Sequence, residues 1–393
     1  MKKIWLKPGK DAALKRFHPW VFSGAIKKSE GQPEDGEVVE VCDHQGQFLA
    51  IGHFQDSSIS VRILAYEPIA VDLAFWISKI KAALNYRRQI GLLQRTHTNC
   101  YRLIHAEGDG LPGLIVDVYD RTAVVQCHSI GMHLFRESIA KALQEVLGRQ
   151  LEAVYDKSAE SLPDRYAAST QNSYLFGCST HRIAVENGHS FLVDWEEGQK
   201  TGFFLDQRDN RQLVGTYAAG KTVLNAFCYS GGFSVYALHA GASHVDSVDV
   251  SKKAIELTDK NMALNQLNLE RHKSHCSDVI PFLRQTPDHA YDLMVVDPPA
   301  FAKNLDKRHK AVQGYKRLNA LAMQKIKPGG ILFTFSCSQV VDEALFYNTI
   351  VAAALEGGRR ARVMHRLSQP PDHPVSCFHP EGAYLKGLVL YID

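Results

Sequence analysis

Short apolar runs alternate with helical patterns through the second half of the chain. The apolar run Thr222 to Phe227 breaks into a glycine-containing loop, and a helical pattern follows it as far as Leu238. A second apolar run ends at Asp249, and a third, Leu293 to Val296, ends at Asp297. Strands that alternate with helices are typical of an open parallel sheet, whose ligands lie beyond the carboxyl ends of the strands. This half of the chain therefore predicts an α/β fold with a binding site at those three strand ends.

The first half of the chain shows two other patterns. Residues 1–72 contain short β-type runs separated by turn residues, which predict a small β-barrel. Residues 73–182 open with a helical pattern, continue with two strands around a turn, and include an amphipathic helix from Leu134 to Leu147, so they predict an α+β unit. A hairpin signal, Asn187-Gly188, follows. We therefore expect three domains, at residues 1–72, 73–182 and 183–393.

The composition is that of an ordinary globular protein. The 393 residues are 45% hydrophobic and 22% charged, with a formal net charge of +3 and a pI of about 8.3. Such mild basicity permits a nucleic-acid partner without requiring one. No run approaches the roughly 18 apolar residues of a membrane span, and the N-terminus lacks an apolar signal core, so a cytoplasmic protein without a membrane partner is expected. The eight cysteines form no C-x-x-C pair, so neither a metal site nor a disulfide is expected.

The loop after the first apolar run predicts the class of ligand. It reads NAFCYSGG and lacks the G-x-G-x-x-G spacing of a dinucleotide fold. A nucleoside cofactor without phosphates, S-adenosylmethionine, suits this loop better, and Asp249 can accept both hydroxyls of its ribose. The polar segment Gln199–Arg208 is predicted to line the same cofactor, with Phe203, Asp206 and Gln207 as candidate contacts. The alternative for the loop is an ordinary βα turn.

Two strand ends predict the chemistry. The prolines of Asp297-Pro298-Pro299 hold a loop stiff, and this triplet type occurs, with a nearby aromatic such as Phe301, in enzymes that methylate exocyclic amines. Cys337 ends another apolar strand and places a thiol on the same rim. Cytosine C5 is too electron-poor to attack a sulfonium methyl group unless a thiolate first adds to C6. The pattern therefore predicts methylation of a planar base, at C5 if Cys337 is the nucleophile and at an amine if it is dispensable.

Candidate contacts with RNA occur in two places. Arg16 and Trp20 lie in the segment RFHPWVFSG, where the alternative for Trp20 is a core aromatic of any small barrel. Basic residues also crowd the segment after Asp297, where some of them will be the wet face of a helix from Ala311 to Lys327. The candidates there are Lys303, Lys310, Tyr315 and Lys316.

Together these motifs resemble the large-subunit ribosomal RNA cytosine-5 methyltransferases that carry an N-terminal PUA domain. The resemblance spans essentially the whole chain and rests on HPWVFSGAI, EGDGLPGLIVD, KTGFFLDQR, the NAFCYSGG loop, VDVS, DPPAF, GYKRLN, TFSCS and DHPV…PEGAYLKG. It implies a Rossmann-like class I methyltransferase domain, preceded by a small β-barrel PUA domain and a central α+β domain. It also implies S-adenosylmethionine as methyl donor and a cytosine of 23S rRNA as substrate.

The resemblance assigns roles to particular residues. Cys337 falls on the catalytic cysteine of the family and Asp297 on its acid. The implied cofactor contacts are Asn225, Phe227, Tyr229, Ser230, Gly231, Asp249, Ser251, Asp278 and Asp297. One departure is Ala300, where other RNA cytosine-5 methyltransferases carry a second cysteine, so release by a second thiol is excluded there and the residue that removes the C5 proton is not identified. An RNA amine methyltransferase and a non-catalytic RNA-binding or ribosome-assembly factor stay open as alternatives, as does the choice between monomer and homodimer.

Overall fold

The computed structural model describes residues 1–302 and 304–393. The chain forms two compact units. The first consists of Met1–Ala184, Val193–Leu205 and Pro371–Gly382, and the second of Val185–Leu192, Asp206–Pro370 and Ala383–Asp393. Each unit therefore joins segments that are far apart in sequence. One candidate from the sequence, Lys303, lies outside the described residues.

The first unit begins with a six-stranded sheet. Its elements are β1 (Lys2–Leu6), α1 (Ala12–Lys15), β2 (Trp20–Phe22), β3 (Ile26–Ser29), β4 (Val38–Cys42), β5 (Phe48–Phe54) and β6 (Ile59–Ala65). The strand order is β2-β6-β5-β4-β1-β3, and only β1 and β4 pair in parallel. Alternate residues such as Val39 and Val41 are fully buried in one apolar core, as the period of a strand requires. The β-type runs of this region are confirmed as strands.

A second sheet completes most of the first unit. Its elements are α2 (Leu73–Gln89), β7 (Cys100–His105), β8 (Leu114–Tyr119), β9 (Thr122–Cys127), α3 (Ile130–Leu134), α4 (Arg136–Leu147), β10 (Ala153–Asp156), α5 (Asp164–Ala167) and β11 (Ser173–Phe176). The strand order is β11-β10-β9-β8-β7, and α2 and α4 share one apolar core with these strands. The single helix expected from Leu134 to Leu147 is wrong at its start. Ser129 caps the separate short helix α3, and the chain leaves helical geometry at Phe135.

The second unit is built on a seven-stranded sheet. The elements that follow the first unit are β12 (Ile183–Glu186), which enters the second unit at Val185, and then β13 (His189–Leu192), α6 (Arg208–Ala218), β14 (Thr222–Ala226), α7 (Gly232–His239), β15 (His244–Asp249), α8 (Lys252–Leu264), β16 (His272–Cys276), α9 (Val279–Gln285), β17 (Tyr291–Val296), α10 (Arg308–Lys325), β18 (Ile326–Ser336), α11 (Glu343–Glu356), β19 (Ala361–Leu367) and β20 (Lys386–Ile392). The strand order is β16-β15-β14-β17-β18-β20-β19, in which only β20 runs antiparallel to its neighbours. The order reverses between β14 and β17, which is where open α/β sheets bind ligands.

The apolar runs of the sequence account for the centre of this sheet. Leu224 in β14, Met294 in β17 and Phe333 in β18 are fully buried, as expected for parallel strands covered on both faces. The separate hairpin β12–β13 turns at Asn187 and Gly188, whose φ angles of 51° and 84° are those of a two-residue left-handed turn. The predicted hairpin is therefore confirmed.

The helices also bear on a membrane location. No helix in the described part of the chain is both long enough and apolar enough to cross a bilayer.

Candidate active site

The loop after β14 has a strained backbone. Phe227, Tyr229 and Gly231 have φ angles of 62°, 45° and 73°, all in the left-handed region. A non-glycine residue held there costs about 1–3 kcal/mol. A Cβ atom at Gly231 would lie 2.7 Å from Cγ2 of Thr258, so only glycine fits at that position. The loop thus presents main chain at the end of β14, which suits close approach of a ligand.

Helix α8 holds this loop in its strained form. Oγ1 of Thr258 donates to the carbonyl oxygen of Tyr229 at 2.9 Å, and Nδ2 of Asn261 donates to that of Ser230 at 2.8 Å. These bonds hold two of the predicted cofactor contacts, Tyr229 and Ser230, against α8, and Gly231 follows directly in the same turn.

Asp249, at the end of β15, joins the loops that surround it. Its Oδ2 accepts from the backbone N–H of Tyr229 at 3.0 Å, and its Oδ1 accepts from that of Ser251 at 2.9 Å. Ser251 caps α8, and Asp278 caps α9. The backbone N–H of Ser277 donates to the carbonyl oxygen of Asp249 at 2.9 Å, which brings Asp278 beside this strand end. Three predicted cofactor contacts therefore lie together.

Asn225 lies inside the unit. Its Nδ2 donates to Oγ of Ser234 at 2.8 Å, and a chain of short contacts continues through Ser247 to His272. The side chain is 1% exposed, and its Oδ1 has no hydrogen-bond partner among the described residues. Its amide nitrogen therefore stabilises the contact of β14 with α7, and its part in cofactor binding stays a prediction.

Asp297 follows β17 and faces a second acid. Its Oδ2 accepts from Nε2 of Gln207 at 2.9 Å, and Oε1 of Gln207 accepts from Asn210 at 2.6 Å. Burial, and then the negative charge of Asp206, raise the pKa of Asp297 to about 7, against the opposing hydrogen bond from Gln207. Asp206 accepts from the hydroxyl of Tyr384 at 2.7 Å. An acid with this pKa can hold or release a proton near neutrality.

Cys337 lies directly after β18, the strand next to β17. Val296 pairs with Thr334, so the residues that follow both strands reach the same end of the sheet. Burial, and then the charges of Asp297 and Asp206, raise the pKa of the Cys337 thiol to about 11, and the charge of Lys386 opposes them. The thiol is therefore protonated at rest. We call the group formed by Asp206, Asp297, Cys337 and Lys386 the strand-end site.

The loop after Pro299 is tied to the loop that carries Cys337. The hydroxyl of Tyr315 lies 3.2 Å from Oγ of Ser338, and the backbone N–H of Ala302 donates to the same oxygen at 3.5 Å. The ring of Phe301 packs on that of Tyr315, with centroids 4.5 Å apart. Tyr315 is fully buried, which leaves it no exposed surface for the RNA contact expected from the sequence.

Phe203 belongs to the first unit, whereas Asp206 and Gln207 belong to the second. Phe203 is 2% exposed, and its carbonyl oxygen accepts from the hydroxyl of Tyr119 at 3.3 Å. Nearby, Oγ1 of Thr201 donates to Asp117 at 2.6 Å. In the first unit this segment is therefore anchored, and a cofactor contact by Phe203 stays a prediction.

The other residues predicted to contact RNA differ in their exposure and in their hydrogen-bond or ion-pair partners. Arg16 is exposed, and its Nε donates to a neighbouring carbonyl, that of Ala12. Trp20 is half-buried, and its Nε1 donates to Glu107 at 2.9 Å. Lys310 is exposed, whereas Lys316 pairs with Glu356 at 2.6 Å. Arg16 and Lys310 are thus the candidates most accessible to a phosphate.

The first unit contains buried ion pairs that no pattern in the sequence predicts. Arg87 binds Asp109 through two hydrogen bonds, one of them 2.8 Å, and also donates to the carbonyl oxygen of Asp372 at 2.7 Å. Arg102 binds Asp117 through two bonds of 2.8 Å. The EGDGLPGLIVD motif therefore supplies Asp109 and Asp117 as structural anions. We call these two pairs, Arg87–Asp109 and Arg102–Asp117, the buried ion pairs.

One group in the described part of the chain has metal-ligand atoms close together. The atoms of His18, His379 and Glu381 lie within 4.8 Å of one another in the first unit. Nε2 of each histidine is 3.9 Å from the Glu381 carboxylate, which is 56% exposed, and Nδ1 of His18 accepts from the backbone N–H of Trp20 at 3.2 Å. These are the contacts of two imidazoles that share one carboxylate, and we assign no ligand to them.

Sequence reasoning also missed Tyr384 and Lys386, which reach Asp206 and the Cys337 loop from β20 and the residues just before it. Both lie in the motif PEGAYLKG, but neither periodicity nor spacing gives them a chemical role. Only the order of the strands brings them to the site, because β20 lies between β18 and β19 in the sheet.

Two family models match the chain. One, described as S-adenosylmethionine-dependent methyltransferase, matches residues 102–390, and another, described as PUA-like domain, matches residues 4–66. Among curated relatives, a protein of Shewanella amazonensis named ribosomal RNA large subunit methyltransferase I is 41% identical over 391 residues, or 98% of each chain. A protein of Aeromonas hydrophila with the same name is 40% identical over 394 residues, again 98% of each chain.

Solved structures share the fold. A structure from Streptococcus mutans, described as an S-adenosylmethionine-dependent methyltransferase, is similar over 100% of both chains with a TM-score of 0.84 and 22% identity. A second, a methyltransferase complexed with SAH, is similar over 100% of both chains with a TM-score of 0.85 and 22% identity. At this level of identity the likeness concerns the fold alone.

Proposed function

The chain belongs to the S-adenosylmethionine-dependent methyltransferases of the ribosomal RNA large subunit methyltransferase I family, and we propose that it methylates C5 of a cytosine in 23S rRNA. The name of its relatives supports ribosomal RNA as the substrate. The observation that carries the finer assignment is the acid and thiol, Asp297 and Cys337, that follow the adjacent parallel strands β17 and β18. Methylation of an amine needs no thiol, whereas methylation of cytosine C5 does.

Family membership also confirms the expected fold class and cofactor. The class is a Rossmann-like methyltransferase domain preceded by a PUA domain and an α+β domain, and the cofactor is S-adenosylmethionine. The expected domain boundaries, 1–72, 73–182 and 183–393, are a proposal. The sheets β1–β6, β7–β11 and β14–β20 each fall within one of these ranges, which supports it.

The residues of the second unit suit this cofactor. Oδ1 of Asp206 is buried without a hydrogen-bond partner in the described part of the chain, and a cationic ligand would satisfy it. S-adenosylmethionine is such a ligand, and when bound it supplies an electrophilic methyl group. Each oxygen of Asp249 accepts one backbone N–H and keeps a lone pair for a ribose hydroxyl. The residues proposed to hold the cofactor are Asp206, Gln207, Phe227, Tyr229, Ser230, Gly231, Asp249, Ser251 and Asp278.

Cys337 and Asp297 then divide the chemistry. The S–H bond of Cys337 breaks, its proton passes to the Asp297 carboxylate, and the thiolate forms a bond to C6 of cytosine while Asp297 delivers the proton to N3. The addition turns C5 into an enamine-like carbon that takes the methyl group. Loss of the C5 proton to a base, with return of the N3 proton, breaks the S–C6 bond and restores the thiolate. A pKa of Asp297 near 7 suits a group that both takes and gives a proton.

Contacts with RNA are proposed for the accessible basic residues. Arg16 and Lys310 are exposed, and Lys316 can exchange its partner Glu356 for a phosphate. Trp20 is half-buried beside other rings and offers part of its face for base stacking. For Tyr315 we propose a positioning role, through Phe301 and Ser338, in place of direct contact.

The test is nucleoside analysis after incubation of unmodified 23S rRNA with labelled S-adenosylmethionine. We expect label in 5-methylcytidine with the wild-type chain and none with Cys337→Ala. Cys276→Ala is the matched control, because Cys276 also ends a strand of the same sheet but is exposed beside β15. It should retain full activity.

Two results would overturn the proposal. Label on an exocyclic amine, undiminished in Cys337→Ala, would establish an amine methyltransferase that uses Asp297 and Phe301. Binding of the cofactor and of RNA without label in any RNA would instead establish a non-catalytic RNA-binding or assembly factor.

A further inference from the structure

Lys386 is a buried cation beside the end of β18, the strand that precedes the thiol. It begins β20 and pairs in register with Ser336, the last residue of β18. Its side chain is buried, and its Nζ donates to the carbonyl oxygen of Ser338 at 2.7 Å. The ammonium therefore lies against the turn that contains Cys337.

This ammonium has no carboxylate partner in the part of the chain that the structure describes. No Asp or Glu oxygen there lies within 4.0 Å of its Nζ, the distance that defines an ion pair. Lys325, a buried lysine of the same unit, has the carboxylate partner that a buried ammonium usually has, since its Nζ pairs with Asp288 at 2.6 Å. A buried charge without a counter-ion destabilises a folded chain. The destabilising position of this charge suggests that the positive charge itself has a function, which a neutral residue could not provide.

The anion that the site forms during catalysis is the thiolate of Cys337. Building on the function proposed above, we propose that Lys386 is a positioning residue that supplies positive charge beside the Cys337 thiolate while it attacks the base. When the thiol proton leaves for Asp297, the sulfur gains a negative charge one residue from the carbonyl that Lys386 holds. The charge of Asp206 opposes that negative charge, and Lys386 offsets it.

The pKa shifts of Lys386 and Cys337 agree with this pairing. Burial lowers the pKa of Lys386, whereas the charges of Cys337 and Asp342 raise it. Burial raises the pKa of Cys337, and Lys386 acts against that rise. The charged and titratable groups that bear on the pair are Asp206, Asp297, Tyr315 and Asp342.

The test measures alkylation of Cys337 by iodoacetamide in the full-length chain between pH 7 and 10. Below its pKa a thiol reacts in proportion to its thiolate fraction. Peptide mass spectrometry separates Cys337 from the exposed Cys178, which serves as an internal reference in each sample. Lys386→Gln is the informative variant, because glutamine can still donate to the Ser338 carbonyl but carries no charge.

We expect Lys386→Gln to slow Cys337 alkylation about tenfold at each pH, which corresponds to a rise of about one unit in the thiol pKa. Formation of 5-methylcytidine should fall by a similar factor and recover as the pH is raised. Lys386→Arg, which keeps the charge, should restore much of the rate. Lys325→Gln is the matched control, and we expect it to leave the ratio of Cys337 to Cys178 alkylation unchanged.

An unchanged ratio in a folded Lys386→Gln chain would overturn the inference and leave Lys386 a structural residue. If that variant does not fold, Lys386→Met and Lys386→Arg provide the same comparison of neutral against charged side chains. The outcome is separate from the proposed function, since alkylation of Cys337 is measured without RNA. If Lys386→Gln slows alkylation but the wild-type chain makes no 5-methylcytidine, the effect of Lys386 on the thiol would stand. The proposed methylation of cytosine C5 would be wrong.

Discussion

The buried ion pairs and the strand-end site use the same kinds of side chain in opposite ways. In the first unit, Asp109 and Asp117 each meet an arginine through two hydrogen bonds. In the second unit, Asp297 accepts a hydrogen bond from the amide of Gln207, and burial together with the negative charge of another acid, Asp206, raises its pKa. Paired charges stabilise one arrangement of the chain, whereas unpaired ones shift pKa values and favour chemistry. We therefore expect Asp109 and Asp117 to stabilise the fold and Asp297 to take part in the reaction.

Replacement of Asp297 by asparagine should produce the largest effect and separate the two roles. Asparagine keeps the size and can still bond to Gln207, but it cannot transfer a proton. We expect formation of 5-methylcytidine to fall about 10²- to 10⁴-fold, the usual contribution of a general acid or base. The chain should stay folded and be at least as stable as the wild type, since no ion pair is lost. Initial rates with labelled cofactor and saturating RNA measure the effect, and a rate within a few-fold of wild type would remove Asp297 from the reaction.

Replacement of Asp109 by asparagine should instead lower the free energy of unfolding. The change leaves Arg87 buried without its anion, which costs about 3–5 kcal/mol of unfolding free energy. All four tryptophans, at positions 5, 20, 76 and 195, belong to the first unit, so their fluorescence during urea unfolding reports on it. Asp164→Asn, at an exposed position, is the control and should change stability by less than about 0.5 kcal/mol. A loss as small in Asp109→Asn as in this control would contradict a structural role for the pair.

The pH dependence of stability sharpens the comparison. The pKa of Asp297 is about 7 in the folded chain and about 3.9 in an unfolded one. Between these values the folded state binds more protons, so Asp297 makes the free energy of unfolding fall as the pH rises from about 4 to about 7. Above pH 7 its effect is constant.

We therefore expect Asp297→Asn to gain stability relative to the wild type between pH 5 and 7, by up to about 1.4 kcal/mol per pH unit. Hydrogen exchange of β17 amides measures this gain, because the second unit contains no tryptophan. The gain should level off above pH 8. A difference that does not vary with pH would show that the pKa of Asp297 is not raised in the folded chain.

The same contrast explains what the sequence could predict. The apolar runs place Asp249, Asp297 and Cys337 at strand ends, because local pattern determines where a strand stops. Pairing is not local. Asp109 meets Arg87 and Lys386 meets the carbonyl of Ser338 across separations of 22 and 48 residues, and no periodicity encodes such contacts. The basic neighbours of Tyr315 predict an RNA contact, whereas the packing of α10 buries this side chain.

The smallest effect we predict concerns the packing beneath the strand-end site. A Cβ atom at Gly314 in α10 would lie 3.0 Å from Cδ2 of Phe301, so Gly314→Ala must displace that ring and the loop after Asp297. Gly215 in α6 is the matched control, because a Cβ there meets nothing closer than 3.7 Å. Alanine is favoured over glycine in a helix by about 1 kcal/mol. Gly215→Ala should therefore be more stable than the wild type with unchanged methylation. Gly314→Ala should gain less stability and lose methylation severalfold, measured as initial rates at fixed RNA concentration. Equal behaviour of the two variants would show that the position of Phe301 does not matter to the reaction.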